Sequence, residues 1–179
     1  MHGIVHAEFR EYVVGRLGTD GWAEAARRAG LEARSYGPAE SYPDEELLAL
    51  LLAVSRATGE PLDTVLTGFG TAIVPGLLRT YGAFVDPHWG PADVLEHVER
   101  VVHRTIRLQD REATPPYLTA ERRAEDEVLI RYTSPRRLCA FGKGLVHGVA
   151  ATYGTSASID EESCMHRGDA ACVLRVVLA

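Results

Sequence analysis

The sequence has no apolar run that approaches the length of a membrane-spanning helix, and its N-terminus lacks a basic segment followed by an apolar export region. Positive charge is also scarce, because 19 Lys and Arg are set against 25 Asp and Glu, for a net charge of −6. A nucleic-acid surface needs clustered Lys and Arg, and the nearest approach is the pair Arg27-Arg28. We therefore expect a cytoplasmic protein that binds neither membranes nor nucleic acids.

Cysteine is scarce as well, with only Cys139, Cys164 and Cys172. Three cysteines cannot all pair within one chain, and the cytosol keeps thiols reduced, so these are core residues, metal ligands or redox-sensitive thiols. No serine or cysteine lies in a nucleophile motif, and several histidines, His6 among them, have no partner at catalytic or ligand spacing. We expect no enzymatic activity.

The sequence does contain amphipathic helical patterns in its first two thirds and short strand patterns after that. Ser41 and Asp44 resemble a capping box before a helix that ends at Gly59. The other helices are predicted over residues 1–18, 20–30, 62–77, 92–108 and 135–153, and strands over 117–121, 127–133, 156–161 and 172–178. Helices first and antiparallel strands later predict a single α+β domain.

Glycine and proline interrupt the helix predicted over residues 62–77. Gly68, Gly70, Pro75 and Gly76 all weaken a helix interior. So many breakers predict a bend or a very close neighbour, which is either a flat cofactor or another helix.

The stretch from Tyr132 to Arg137 combines hydroxyls and cations where a strand is predicted to turn into a helix. Ser134 reads as the N-cap, which puts Arg136 and Arg137 in the first helical turn. Two cations are unfavourable at the positive end of the helix dipole, so the site favours an anion such as a carboxylate or phosphate. The alternative is a capped helix with two solvated arginines.

Taken together, several motifs resemble the haem nitric oxide/oxygen binding (H-NOX) family, which is related to the haem domain of soluble guanylate cyclase. The resemblance covers essentially the whole chain. Its motifs are Met1-His2-Gly3-Ile4, Ser41-Tyr42, Phe69-Gly70, Pro115-Pro116 and Tyr132-x-Ser134-x-Arg136.

The resemblance implies a helical distal part over residues 1–82, a proximal helix with an α/β part over residues 92–179, and haem b buried between them. His103 occupies the position of the proximal histidine that ligates the iron, although helical periodicity alone makes it a flank or surface residue. The resemblance further implies that Tyr132, Ser134 and Arg136 bind the haem propionates and that Pro116 presses on and distorts the haem.

The resemblance also bears on gas selectivity. Oxygen-binding members of the family carry a distal tyrosine, and Phe141 stands at that position here. Bound oxygen needs a hydrogen-bond donor more than nitric oxide does, so we expect a sensor that binds NO and CO but rejects oxygen. We call the expected apolar residues opposite the proximal histidine the distal wall: Val5, Phe9, Ile73, Leu77, Phe141 and Leu145.

The family also implies the mode of signalling. By this resemblance, binding of NO is expected to weaken or break the bond between His103 and iron and to release the helix over residues 92–108. The output would pass to a separate partner, either a histidine kinase or a cyclic-di-GMP enzyme. A haem-linked enzyme is discounted, because no distal His/Arg pair or thiolate axial ligand is apparent.

The three cysteines raise a second possibility. Some family members bind zinc through three such cysteines and a histidine three residues before the second, and Glu161 stands at that position here. Glu161 or His166 is then the candidate fourth ligand, and three idle thiols are the alternative. This gives a competing function for the chain, as a haem-independent redox sensor or small-molecule-binding regulatory module.

Overall fold

The computed structural model describes residues 1–32, 34–109 and 114–179. Its helices are α1 (Gly3–Arg28), α2 (Asp44–Thr58), α3 (Leu62–Tyr81), α4 (Pro91–Val98), α5 (Arg104–Gln109) and α6 (Cys139–Thr152). Its strands are β1 (Tyr117–Arg122), β2 (Glu127–Thr133), β3 (Ala157–Ser163) and β4 (Cys172–Leu178). A π-helical turn (Glu99–His103) joins α4 to α5 without a break, and short 3₁₀ turns cover Gly82–Phe84 and Met165–Arg167. The predicted α+β architecture is confirmed.

The four strands form one antiparallel sheet in the order β1-β2-β4-β3. Strand β2 is central and alternates, because Val128, Ile130 and Tyr132 are buried on one face. The pairing places Leu118 of β1 and Cys172 of β4 on either side of Tyr132. The end of β2 is therefore where three strands present their side chains together.

Helices α3 and α6 pack with their backbones in contact. A Cβ atom on Gly70 would lie 2.3 Å from the Phe141 carbonyl oxygen, and one on Gly144 would lie 2.2 Å from the Thr67 carbonyl oxygen. The hydroxyl of Thr71 also donates to the Gly144 carbonyl at 3.1 Å. The close neighbour predicted from the glycines of α3 is thus helix α6.

Two predicted helix starts are wrong, and α3 runs four residues beyond its predicted end at residue 77. The Ser41/Asp44 capping box does not form, because Pro43 is the N-cap of α2 and Ser41 instead bridges to His2. Helix α6 begins at Cys139 and not at Pro135, because Arg137 adopts a φ of 50° that a helix cannot include. By contrast, Gly18 does interrupt the first helical segment as predicted, with φ 74° and ψ 177° inside α1.

No single helix in the described ranges is both long and apolar enough to cross a membrane. Helices α2 and α3 meet that criterion only as a pair, across a bend of 112°.

Candidate functional site

His103 ends the π-helical turn, where the Arg104 amide donates to the Glu99 carbonyl five residues back. This wider turn rotates every residue after it about the helix axis, so their side chains point in directions that a regular α-helix does not give. The His103 side chain is 15% exposed, so it is largely buried where α-helical periodicity predicted a flank or surface position. A π-helical turn of this kind is frequently found at functional sites.

The Glu99 carboxylate contacts the His103 ring at Nδ1. Its Oε2 lies 3.0 Å from Nδ1 of His103 and accepts a bond from the Leu118 amide at 3.2 Å. Its Oε1 accepts from Arg107 at 2.8 Å, and Arg107 also donates to the Pro116 carbonyl at 3.0 Å. We call Glu99, His103 and Arg107 the proximal network.

At Glu99, burial and the neighbouring donors have opposite effects on the pKa of the carboxyl group. Burial raises the pKa of this carboxyl group, but the bonds from His103 and Arg107 outweigh burial and bring the pKa to about 2. Glu99 is therefore an ionised acceptor, and the shared proton belongs to Nδ1 of His103. No described residue forms a hydrogen bond with the other ring nitrogen, Nε2.

Tyr132, Ser134 and Arg136 are brought together by a turn at the end of β2. Tyr132 is buried, and its hydroxyl accepts from the Leu138 amide at 3.2 Å. The Ser134 hydroxyl accepts from the Arg136 amide at 3.2 Å. The expected helix N-terminus is absent here, because Arg136 and Arg137 precede the first residue of α6. The prediction that Ser134 is the N-cap and that Arg136 and Arg137 lie in the first helical turn is therefore wrong.

Arg136 has partners that the sequence did not reveal. Its Nε donates to Asp44 Oδ2 at 2.5 Å, and its guanidinium also bonds to the carbonyl and, at 2.8 Å, the hydroxyl of Thr114. The other oxygen of Asp44 pairs with the Met1 ammonium at 2.8 Å. Burial raises the Asp44 pKa, but these two cations outweigh it, so the pKa is lowered.

All six residues of the distal wall belong to one hydrophobic cluster, in which Phe9 and Ile73 are fully buried. Phe69 lies at its centre, with ring centroids 4.9 Å from Phe9 and 5.1 Å from Phe141. The cluster encloses a small apolar cavity of about 10 Å³. The cavity is lined by Met1, Val5, Leu47, Leu51, Leu66, Phe69, Leu138 and Phe141.

Two tyrosines pack against this cluster, and both hydroxyls are engaged elsewhere. Arg16 donates to the Tyr12 hydroxyl at 2.7 Å, and the Tyr36 hydroxyl donates to Glu46 at 3.1 Å. Phe141 itself offers only a hydrocarbon ring. The distal wall is accordingly built to exclude polar contacts.

The donor side chains of these two groups suit a haem. His103 has one ring nitrogen anchored and the other left for iron, and Tyr132, Ser134 and Arg136 offer hydroxyls and a cation for propionates. Leu138 connects these polar residues to the apolar cavity, since its amide binds Tyr132 and its side chain lines the cavity.

The three cysteines form a second cluster beside Tyr132. Cys164 Sγ lies 3.7 Å from both Cys139 Sγ and Cys172 Sγ, and all three residues are buried. Burial and the neighbouring thiols raise the pKa of Cys139 to about 12. The three sulfurs lie within 4.8 Å of one another and form the metal-capable group found among the described residues.

The two candidate fourth ligands are both outside that group of sulfurs. Glu161 is paired with Lys143 and, at 2.5 Å, with Arg167. The ring of His166 shares a partner with the cluster, since its Nε2 bonds the Arg137 carbonyl at 2.8 Å and the same carbonyl accepts from Cys139 Sγ at 3.5 Å.

His6 is a buried residue that sequence reasoning passed over. Its ring is fully buried and stacks on Tyr36 at 4.6 Å between centroids. Within the described ranges, neither ring nitrogen has a hydrogen-bond partner. Burial, reinforced by the Met1 ammonium, lowers the His6 pKa to about 4. The rings that contact His6 belong to Tyr36 and Tyr42, which are 30 or more positions away in the sequence, so the local pattern around His6 did not reveal its burial.

The chain is similar to solved structures of H-NOX proteins along its full length. An H-NOX protein from S. oneidensis in the Fe(II)NO ligation state has 27% identity and a TM-score of 0.92, and the match covers 100% of this chain and 99% of that one. The Shewanella oneidensis H-NOX domain in the Fe(II)CO ligation state has 27% identity and a TM-score of 0.89, with the same coverage.

A more distant structure agrees on the fold. The unliganded Fe(II) H-NOX protein from K. algicida has 22% identity and a TM-score of 0.87, over 100% of this chain and 97% of that one. No curated protein sequence matches the chain. A family profile described as haem-NO-binding (HNOB) matches residues 2–161, and the chain therefore belongs to the H-NOX family of haem-binding gas-sensor domains.

Proposed function

We propose that this protein senses nitric oxide through a bound haem b, also binds CO, and rejects oxygen. The observation that carries this proposal is the pairing of an anchored, largely buried His103 with a distal wall that offers no free hydroxyl. The S. oneidensis relatives in NO and CO ligation states support the choice of gases.

His103 would bind the iron through Nε2, because Nδ1 is held by Glu99. Tyr132, Ser134 and Arg136 would bind the propionates, and an incoming carboxylate would compete with Asp44 for the Arg136 guanidinium. Pro116 is tied to the proximal network through Arg107, which suits its expected contact with the haem. The haem supplies the site at which diatomic gases bind.

The distal wall supports selectivity for NO over oxygen. Bound oxygen carries partial negative charge, and a hydrogen bond to it contributes roughly 1.5–3 kcal/mol. Phe141 cannot donate such a bond, and the hydroxyls of Tyr12 and Tyr36 are already engaged. NO depends less on a donor and so retains its affinity.

We further propose that residues 1–179 act as one signalling domain, with residues 1–82 as the distal part and 92–179 as the proximal part. Release of His103 from iron would free the π-helical turn, which is linked to β1 through Glu99 and Leu118. The movement would be read by a separate histidine kinase or cyclic-di-GMP enzyme. A reducing cytoplasm suits both this role and the three free thiols.

Visible absorption spectra of the reduced protein under argon, air, CO and NO test this proposal. We expect spectral shifts with CO and NO and, in air, oxidation without a persistent ferrous-oxy spectrum. A stable ferrous-oxy spectrum in air would refute the proposed selectivity.

A second candidate function rests on the three cysteines. Sulfur ligands at about 2.3 Å from tetrahedral zinc lie about 3.8 Å apart, close to the observed 3.7 Å. To serve as the fourth ligand, His166 would have to leave one carbonyl oxygen, whereas Glu161 would have to leave two cations. Thiol oxidation would then release zinc and report redox state independently of haem.

Metal analysis of the purified protein tests this second function. We expect about one zinc per chain, and its loss in a Cys164→Ser variant. A Ser163→Ala variant is the matched control, because Ser163 is adjacent but its hydroxyl donates to the Ala171 carbonyl. Wild-type protein without stoichiometric zinc would dismiss this function and leave gas sensing untouched.

A further inference from the structure

The least expected feature of the proximal network is the Glu99 carboxylate that is hydrogen-bonded to Nδ1 of His103. Glu99 opens the π-helical turn and His103 closes it, so both ends of one turn meet through a 3.0 Å bond between Oε2 and Nδ1. The same oxygen accepts from the Leu118 amide, and the other accepts from Arg107. Three donors from three different places in the chain therefore fix this carboxylate.

We propose that Glu99 is a positioning residue that orients His103 and strengthens it as an iron ligand. This inference rests on the proposed role of His103 in haem binding. It adds that the strength of that ligand is set by a carboxylate, and not only by the histidine itself.

The physical reason is the sharing of one proton. Both oxygens of Glu99 face N–H donors, so Glu99 accepts and His103 donates from Nδ1. A carboxylate acceptor draws this proton away from the ring and leaves more electron density on Nε2 for donation to iron. The fixed acceptor also prevents the ring from turning.

Arg107 limits this effect. Its guanidinium bonds Glu99 at 2.8 Å and takes up part of the carboxylate charge, so the pull on the His103 proton is weaker than that of an unpaired carboxylate. The proximal network thus gives an intermediate ligand strength. A ligand of intermediate strength holds haem and still yields when NO binds.

The matched pair for the experiment is Glu99→Gln and Glu96→Gln. Both changes remove one half-buried carboxylate from the same helical stretch, but Glu96 pairs with Arg122 at 3.2 Å and not with His103. The readouts are the iron–histidine stretching frequency of the reduced protein by resonance Raman spectroscopy and the rate of haem transfer to apomyoglobin.

We expect Glu99→Gln to lower the stretching frequency and to speed haem loss by roughly 10-fold. The Glu96→Gln protein should match wild type in both. If Glu99→Gln also matches wild type while His103→Gly loses the stretch, Glu99 has no such role and the haem ligand stands. If His103→Gly leaves the stretch in place, the proposed function fails together with this inference.

A measurement on the reduced, CO-bound wild-type protein, which is diamagnetic, avoids any dependence on the folding of variants. With ¹⁵N-labelled histidine, NMR should show the Nδ1 proton of His103 in a hydrogen bond protected from rapid exchange with water. An Nδ1 proton that exchanges as fast as that of a solvent-exposed histidine would overturn the inference.

Discussion

The two sides of the proposed haem site differ in chemistry, because one is polar and charged and the other is apolar. The proximal network consists of an imidazole, a carboxylate and a guanidinium linked by bonds of 2.8–3.0 Å, whereas the distal wall is hydrocarbon from Val5 to Leu145. Removal of one proximal charge leaves its partners unpaired, whereas a distal substitution changes mainly volume and the supply of donors. The proximal side can thus set the strength of the iron ligand, and the distal side can set which gas is tolerated.

The distal side also depends on the close backbone contact between α3 and α6. Two glycines of α6 distinguish the effect of this contact on stability from the effect of helix propensity. We expect Gly144→Ala to destabilise the fold by roughly 3 kcal/mol, because its Cβ would meet the Thr67 carbonyl at 2.2 Å. Gly142→Ala meets nothing within 4 Å and should stabilise by about 0.5–1 kcal/mol. Denaturant unfolding of both variants measures this difference. Equal effects of the two substitutions would argue against close packing of α3 and α6.

Adding a hydrogen-bond donor to the distal wall should remove the selectivity against oxygen. In Phe141→Tyr, a hydroxyl facing the bound gas should raise oxygen affinity roughly 10- to 100-fold, the equivalent of one hydrogen bond to a partly charged group. Oxygen binding and autoxidation of the reduced protein, followed by visible absorption, give the measurement. Phe141→Leu is the control and should behave as wild type toward oxygen. A tyrosine variant with no gain in oxygen affinity would count against Phe141 as the selectivity residue.

The smallest predicted effect concerns acid stability of the helical part. The His6 pKa is about 4 in the folded protein and about 6.5 when unfolded, so the unfolded state binds the proton first as pH falls. The stability contributed by neutral His6 is present above about pH 6.5 and is lost toward pH 4. Between pH 7 and pH 5 we expect a loss of roughly 1–2 kcal/mol.

Urea unfolding at several pH values measures this loss. A His6→Phe variant keeps a ring against Tyr36 and should lose the pH dependence in this window. His88→Gln is the control, because His88 is exposed and its replacement should leave the pH profile unchanged. A His6→Phe protein with the wild-type pH profile would exclude His6 as the source.

Local patterns predicted strands well and turns poorly. The limits of β2 and β4 are those predicted from the sequence, because both strands carry a clear alternation of buried and more exposed residues. The start of α6 was misplaced because hydrogen bonds to Tyr132 and Ser134, together with the positive φ of Arg137, hold the chain outside a helix. A Ser-Pro sequence gives no sign of those bonds.

In the functional site, too, local patterns missed the features that depend on irregular or long-range structure. Periodicity put His103 off the apolar face because it assumes 100° per residue, and the π-helical turn departs from that value. Only the family resemblance singled out this histidine. Other partners depend on long-range folding, since Arg136 meets Asp44 across 92 positions and the cysteines meet through α6 and the β3–β4 connection.

The most direct test of the account is a hemin titration of the wild-type and His103→Gly proteins, followed by absorption after reduction. We predict one haem per wild-type chain with the spectrum of a single-histidine ferrous haem, and loss of that spectrum in the variant unless free imidazole is added. A wild-type protein that takes up no hemin, or a variant with an unchanged spectrum, would contradict the assignment of His103 as the iron ligand.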